Sequence, residues 1–474
     1  MKGKCYTLLF LVASVTVSAQ QRMLNIHGSI KSENSHEPII GAVIQDTLSK
    51  AYSISDEYGF FTLSLPGTYG CLRTQYIGYE PQLICGVFEE GKALNIELST
   101  SNFLPQVEVS SYSNHGVPKL GRVSLPVSTL QLLPQLGGEA DLLKTITLLP
   151  GIAQGVEGTT GLLVRGGSPD QNLVLMDGAP VYNLSHFGAY LSVFNTDAIK
   201  HFDVYKASWP AKYGGRLSGL IDIRTREGNL KHWEGKATIS PLLGRFLVEG
   251  PLKTDKTSFL LSARSSWLGV LFNAFSGQDF KQRYLMYDLN GKLTHRINDN
   301  HRVYLSYYSS LDDSQVEEVL TGGSLGNQER IRSEEAIGVK WGNQTASLRY
   351  AAFLSDRWSL QSIIYYTRYR FSGYQREMNL FANGLTTASL SDARAFQQNY
   401  FSDMNIRLGN ATDIRLGIRQ VVHQASDTTF LSLEPRLEFE SRVGKGLWAS
   451  LSANYGQQFM HLITGGNAGQ ANEI

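Results

Sequence analysis

The chain has 474 residues, 43 of them basic and 42 acidic, for a formal net charge of +1. That balance gives no global field for drawing in nucleic acid or an anionic surface, and the length exceeds one compact domain, so two or three folding units are expected. With 46 Gly, 23 Tyr and 21 Phe against 3 Cys, the composition favours many short strands and turns with aromatic faces.

Lys2 and Lys4 precede an apolar run from Leu8 to Val17 that ends in Val17-Ser18-Ala19. Charged, apolar and small residues in that order predict a secretory signal peptide over 1–19, and the run falls short of the ~20 apolar residues of a spanning helix. No later stretch approaches that length, so entry into a membrane requires a closed barrel. Cys71 and Cys85 survive processing, and an exported compartment permits a disulfide between them; two buried thiols are the alternative.

Residues 23–99 read as short strands broken by turns, a small β-sandwich, with 28–30, 41–44, 60–65 and 94–98 as the clearest strands. Asp56-Glu57-Tyr58-Gly59 supplies a turn ahead of one of them. Residues 104–228 mix strand and helix. Leu142, Leu143, Ile146 and Leu149 stand at helical spacing over 139–149, and Pro150-Gly151 stops that helix. Strands over 162–165 and 173–176 then run into Gly166-Gly167 and Asp177-Gly178, the outline of a compact α+β unit.

From 229 to 474 period-two alternation takes over. Leu431, Leu433, Leu437 and Phe439 share one face, and Ser432, Glu434, Arg436, Glu438 and Glu440 the other. Val303, Leu305 and Tyr307 likewise alternate with Arg302, Tyr304 and Ser306. Runs near the ~10 residues of a tilted membrane strand, with a charged opposite face, suit a transmembrane antiparallel β-barrel; half-buried strands of a soluble sandwich are the plainer alternative. Residues 310–334 and 375–395 read as long polar loops and 252–255 and 443–446 as tight turns, as expected of two unlike barrel rims.

Two blocks resemble known modules. Gly41-Ala42-Val43, residues 56–61 and Tyr76-Ile77-Gly78-Tyr79-Glu80 are similar to the carboxypeptidase-regulatory-like domain that precedes many outer-membrane receptors of Bacteroidetes-type bacteria. That resemblance implies a transthyretin-like β-sandwich without peptidase chemistry. Leu149-Pro150-Gly151-Ile152, residues 164–172, residues 176–183, residues 194–200, and Tyr213-Gly214-Gly215-Arg216 followed by Ile221-Asp222-Ile223-Arg224-Thr225 closely resemble the plug domain of TonB-dependent receptors. Phe202-Asp203-Val204 departs from the Ile-Glu pair of many members.

The resemblance implies a mainly β outer-membrane protein with its N-terminal domains on the periplasmic side. It would import a scarce nutrient, such as a siderophore, cobalamin or oligosaccharide, with energy from TonB. Leu104, Val107, Glu108 and Val109 stand where the family pairs a strand with TonB; a first plug strand is the alternative. Arg165, Asp177, Lys206, Arg216 and Arg224 are candidates for plug–wall or internal ion pairs, against ordinary solvated charges. Gly166, Gly167, Gly178, Gly214 and Gly215 of the plug motif, which also holds Tyr213, shape turns, with contact to substrate as the alternative. Residues 182–190 read as an outward loop whose Tyr182, His186, Phe187 and Tyr190 either grip a ligand or pack on the wall.

No nucleophile elbow, phosphate loop or zinc-type histidine pair is present, so no catalytic residue, metal or cofactor is expected, and His201 and His232 read as ordinary surface or lumen residues. A plug-bearing barrel needs about 22 strands, and about a dozen fit after Gly228, so only part of a barrel is expected here, truncated and unable to assemble in a heat-resistant form by itself. A ligand-sensing receptor with little transport and a soluble exported sugar-binding β-protein are the competing functions.

Overall fold

The computed structural model describes residues 23–101, 121–127, 130, 139–154, 161–186, 190–207, 209–275, 280–322, 331–355, 357–379, 384–408, 412–425, 428–444, 447–460, 462–463 and 472–473. The expected signal peptide, the segment 104–110 and Phe187 lie outside them. The chain divides into two units, Met1–Ile30 with Pro38–Gln106 and Lys31–Glu37 with Val107–Ile474.

In the first unit the short alternating runs become β1 (Leu24–Ser32), β2 (Val43–Asp46), β3 (Tyr52–Ile54), β4 (Phe60–Leu65), β5 (Tyr69–Gln75), β6 (Gln82–Val87) and β7 (Leu94–Leu98). They form two sheets, ordered β4-β1-β7 and β3-β2-β5-β6. Ile26, Ile30, Ile44, Leu65, Leu72 and Ile96 fill a shared core, the inward half of each alternation. The turn into β4 is held by Asp56, whose Oδ1 accepts from the backbone N–H groups of Tyr58 at 2.8 Å and Phe60 at 2.9 Å. Cys71 and Cys85 are direct partners on β5 and β6 and are joined by a disulfide.

The second unit begins with a small α+β body: β8 (Arg122–Pro126), α1 (Leu142–Thr147), β9 (Ile152–Gln154), β10 (Leu162–Val164), β11 (Leu173–Met176), β12 (Ala179–Pro180), β13 (Ser185–His186), β14 (Leu191–Ser192), β15 (Ile199–Tyr205) and β16 (Leu220–Thr225). Its central sheet runs β12-β11-β16-β15-β8, with β11 and β16 parallel. Ile146, Val164, Val174, Phe194, Phe202 and Ile223 lie in its core. The helix is shorter than the spacing over 139–149 suggests, because Asp141 caps it: its carboxylate accepts from the Lys144 N–H at 3.0 Å, fixing the first turn at Leu142.

Next comes the wall: β17 (Glu234–Ile239), β18 (Leu243–Lys253), β19 (Thr257–Ser266), α2 (Leu268–Phe275), β20 (Phe280–Arg296), β21 (His301–Gly322), β22 (Ile331–Ser355), β23 (Trp358–Asn379), β24 (Gly384–Leu408), β25 (Thr412–Ala425), β26 (Thr428–Gly444) and β27 (Leu447–Asn454). These eleven strands form one antiparallel sheet in sequence order. Two expectations need correcting. Most of 310–334 and 375–395 is strand, because β21 to β24 reach 22 to 25 residues instead of ~10. The ladder continues through a polar sequence that has no apolar alternation, so the sequence there reads as loop. Helix also persists beyond residue 229: α2 places Leu268 and Phe272 against Leu191, Tyr284 and Met286, and its nearly unbroken apolar run had hidden the period.

Burial in the wall is inverted relative to a soluble sandwich. On β26 Ser432, Glu434, Arg436 and Glu438 are 4%, 0%, 5% and 7% exposed, whereas Leu431, Leu433 and Leu437 are 69%, 59% and 37% exposed. On β21 Arg302, Tyr304 and Ser306 are buried and Leu305 and Tyr307 exposed. An apolar face left open and a charged face covered is the arrangement of a sheet with lipid outside and a polar interior. No described helix is long and apolar enough to cross a membrane.

Candidate functional site

The polar face of the wall is covered by the α+β body, which meets it through hydrogen bonds and buried charges. Asp288, Asn290 and Lys292 fall on one side of β20 by the strand period, and Asp312 lies on the same side of neighbouring β21. His186, at the end of β13, enters between them: Nδ1 lies 2.8 Å from Asp312 Oδ2 and Nε2 lies 2.9 Å from Asp288 Oδ1. Arg264 of β19 donates to Asp288 at 2.8 Å through Nε and to the Ser192 carbonyl at 2.6 Å through Nη2. Tyr308 donates to Asp288 at 3.1 Å, and Tyr284 to Asp312 at 3.2 Å. Burial by itself would push the His186 pKa down, but the Asp288 and Asp312 carboxylates outweigh it and carry it up to about 9. At neutral pH His186 is therefore an imidazolium donating from both ring nitrogens.

A second node sits one sheet position away. Asp177, at φ +48° in the turn after β11, receives Lys292 Nζ at 3.0 Å and the Thr225 hydroxyl. Lys292 also donates to the Thr225 carbonyl at 3.0 Å, joining β20 to the end of β16. Burial raises the Asp177 pKa and the Lys292 and Arg349 cations lower it more, leaving it at about 2. A Cβ on Gly178 would stand 3.1 Å from Arg349 Nη2 and at φ +84°, so this turn needs glycine to bring its backbone against the wall.

The third node is built the other way round, with wall cations on body carbonyls. Arg419 Nη1 donates to Gly214 O at 2.9 Å, and Arg436 Nη1 to Ala211 O at 2.9 Å. Both guanidiniums share one carboxylate, Glu434, at 2.8 and 2.6 Å. A Cβ on Gly215, whose φ is +89°, would lie 2.7 Å from Arg419 Nη2.

The sequence-assigned residues distribute as follows. Asp177 pairs with the wall, and Arg224 pairs within the body, 2.9 Å from Asp222, whose Oδ2 also accepts from Tyr213 at 2.7 Å. Arg165 is exposed with no ion pair to a described residue, and Lys206 caps the Pro150 carbonyl at 3.1 Å. Arg216 donates to the Gly215 carbonyl at 3.1 Å and meets no described carboxylate. Residues 182–190 correct the expectation of an exposed loop: Tyr182, Leu184, Ser185 and His186 are buried, and of this group Tyr190 is exposed. Wall side chains cover them, since Asn343 accepts from the Tyr182 N–H at 3.1 Å, Tyr182 OH donates to Gln397 at 2.9 Å, and the Tyr182 and Tyr369 rings lie 5.9 Å apart. His201 is buried and bridges Ser124 at 2.9 Å and Asp203 at 3.2 Å. In the Phe202-Asp203-Val204 departure, Asp203 takes Arg122 at 3.0 Å; burial raises its pKa, and His201 and Arg122 hold it well below the carboxylate range.

Asp288, Asp312, Lys292, Asn343 and Glu434 were missed by sequence reasoning. Their only signal was position on the charged half of an alternation. Among the described residues no group of His, Cys, Asp and Glu is placed to hold a metal.

An inverted wall sheet with a hydrogen-bonded body on its polar side is the arrangement of part of an outer-membrane β-barrel with a plug against its inner face. Residues 125–220 match the family model described as TonB-dependent Receptor Plug Domain, so that body is a plug of the TonB-dependent receptor type. Over 194 residues the chain is 29% identical to the vitamin B12 transporter BtuB of Vibrio vulnificus (strain YJ016), covering 38% of this chain and 31% of that protein. Among solved structures it is similar to the RagAB peptide transporter (9% identity, TM-score 0.45, 76% of this chain and 64% of that one). It is also similar to the ferric citrate transporter FecA (12%, 0.43, 71% and 63%) and the siderophore receptor PirA of Acinetobacter baumannii (15%, 0.39, 69% and 59%). The chain thus spans less than two thirds of the length of each.

Proposed function

We propose that this chain is the plug-bearing part of a TonB-dependent importer that takes a scarce nutrient across the outer membrane. The supporting observation is the plug–wall contact: three buried polar nodes, centred on His186, Asp177 and Glu434, set among small apolar patches such as Ala179 against Ile363 and Leu191 against Leu243. On a pulled plug the charges of each node return to water, and that hydration offsets part of the pairing they lose, whereas apolar surface exposed in the same way costs about 25 cal/mol per Å² with no such offset. Siderophores, cobalamin and oligosaccharides are the cargo classes under this reading, and the similarity to a vitamin B12 transporter favours the second of them.

In this reading residues 1–19 are the signal peptide, 23–99 a carboxypeptidase-regulatory-like sandwich of the Bacteroidetes type, 104–228 the plug and 229–474 barrel wall. The two-sheet order of β1 to β7 supports the second assignment. Leu104, Val107, Glu108 and Val109 add a strand to TonB, an extended pairing that Val107 and Val109 favour. Replacing Val107 and Val109 by proline removes two backbone donors and tests the coupling. Uptake of radiolabelled cobalamin, ferric siderophore or oligosaccharide that depends on TonB falls to background in the double variant; uptake at the parental rate refutes the coupling role.

A further inference from the structure

Between plug and wall lies a cavity of about 70 Å³, room for roughly five waters at ~10–15 Å³ each. Its charged lining is lopsided: Lys212, Arg216, Arg224 and Arg419 against Asp222 alone. Arg224 is neutralised by Asp222 at 2.9 Å. Arg419 and Arg436 have to share Glu434, so that corner carries two cations on one carboxylate. Arg216 follows directly on the Gly214-Gly215 turn against which both guanidiniums lie, and it has no carboxylate among the described residues. A half-buried arginine beside an under-compensated arginine pair is costly unless an anion joins it.

The remaining lining suits an organic anion better than a bare ion. Tyr213, Tyr365, Phe401 and Phe459 line the space. Asn399 also lines it and keeps Oδ1 without a partner although it is 4% exposed; its amide nitrogen donates to Tyr365 at 2.9 Å. Next to Phe459, the fully buried His423 ring stacks at 5.5 Å with both nitrogens unpartnered. Buried polar atoms left open in this way mark places where a ligand or water completes the bonding.

The cavity is deep. Gln361, Ile363 and Tyr365 are the fourth, sixth and eighth of the 22 residues of β23, near the rim where every connection from β18–β19 to β26–β27 is a short turn, whereas the opposite rim also carries the long β19–β20 and β21–β22 connections. Short turns mark the periplasmic rim of outer-membrane barrels. We propose that this cavity is an inner transit subsite for a carboxylate on a small ring-bearing molecule, with Arg216 as its anchoring cation and the aromatic side chains as its walls. The proposal rests on the transport reading above, of which it specifies the ligand chemistry at one station.

Calorimetric titration of the detergent-solubilised full chain tests it, with benzoate and glucuronate as probes and benzamide and glucose as their uncharged counterparts. One charge-assisted contact is worth about 1.5–3 kcal/mol, so each acid binds about tenfold to a hundredfold more tightly than its neutral partner. Arg216→Gln brings the acids to the neutral level, Arg216→Lys recovers part of the difference, and Arg394→Gln, at an exposed pair with Asp392, changes nothing. The subsite is refuted by equal binding of acid and neutral probe, by no binding of either acid to the folded protein, or by unchanged acid binding in Arg216→Gln. Should Arg216→Gln fail to fold, the acid-to-neutral ratio of the parental protein alone decides. Failure here with TonB-dependent uptake intact removes only the cavity proposal, whereas loss of coupling leaves the calorimetry untouched.

Discussion

Removing the charge on His186 releases the plug from β20 and β21. The imidazolium sits between Asp288 and Asp312 at 2.9 and 2.8 Å, 1% exposed, with Arg264 and Tyr308 also donating to Asp288 and Tyr284 to Asp312. Its pKa rises from 6.5 to about 9 on folding. At about 1.4 kcal/mol per tenfold change in proton affinity, that rise is worth roughly 3 kcal/mol. Because the folded value is the higher one, this stabilisation is complete below pH 6.5 and disappears as pH climbs through about 9. Carbon-13 labelling of the histidine ring reads the midpoint directly by NMR, using His186→Gln to assign the signal. In that variant the plug amides of β11 and β16 exchange with deuterium about a hundredfold faster at constant pH, the equivalent of ~3 kcal/mol. A midpoint near the unperturbed value of 6.5, or unchanged exchange in His186→Gln, refutes the clamp.

Lys292→Met strands the Asp177 carboxylate at about 3–5 kcal/mol, and adding Asp177→Ala recovers most of it, as a double-mutant cycle of plug exchange rates measures. Leu433→Arg places a charge on the lipid face and costs about 2–4 kcal/mol at mid-membrane, read as reduced recovery of folded protein in outer-membrane fractions; Leu433→Phe leaves recovery unchanged. Gly215→Val forces a left-handed residue to carry a Cβ and presses it against Arg419, so plug protection falls near Gly214 before it falls at β15. Unreduced, denatured protein lacking residues 1–19 yields no free thiol, and two after reduction, if Cys71 and Cys85 are bridged throughout the population.

Much of this was legible in the chain, and the parts that were not share a cause. The opposition of Leu431 and Leu433 to Glu434 and Arg436 fixed which residues share a face, since the strand period leaves no freedom there. It did not say which face is covered; that depends on the plug, whose motif at 164–183 and 213–225 had to be found separately. Tyr182 and His186 looked like loop tips because their partners, Asn343, Gln397, Asp288 and Asp312, lie more than a hundred residues away. The outer thirds of β21 to β24 read as loops because their polar, Gly-containing sequence carries no apolar alternation, although the backbone ladder runs through them. Asp203 stands where the plug pattern usually has an Ile-Glu pair, and Arg122 and His201 give it the role of an internal tie.

Everything rests on the wall sheet turning its apolar face to lipid and its charged face to the plug. Single cysteines at 431, 433 and 437, alternating with 432, 434 and 436, can carry an environment-sensitive fluorophore in protein reconstituted with nitroxide-labelled lipids. Strong quenching at 431, 433 and 437 with little at the three others is the expected pattern. Equal quenching along β26, or iodide in the buffer reaching 431 and 433 while the nitroxide does not, contradicts it.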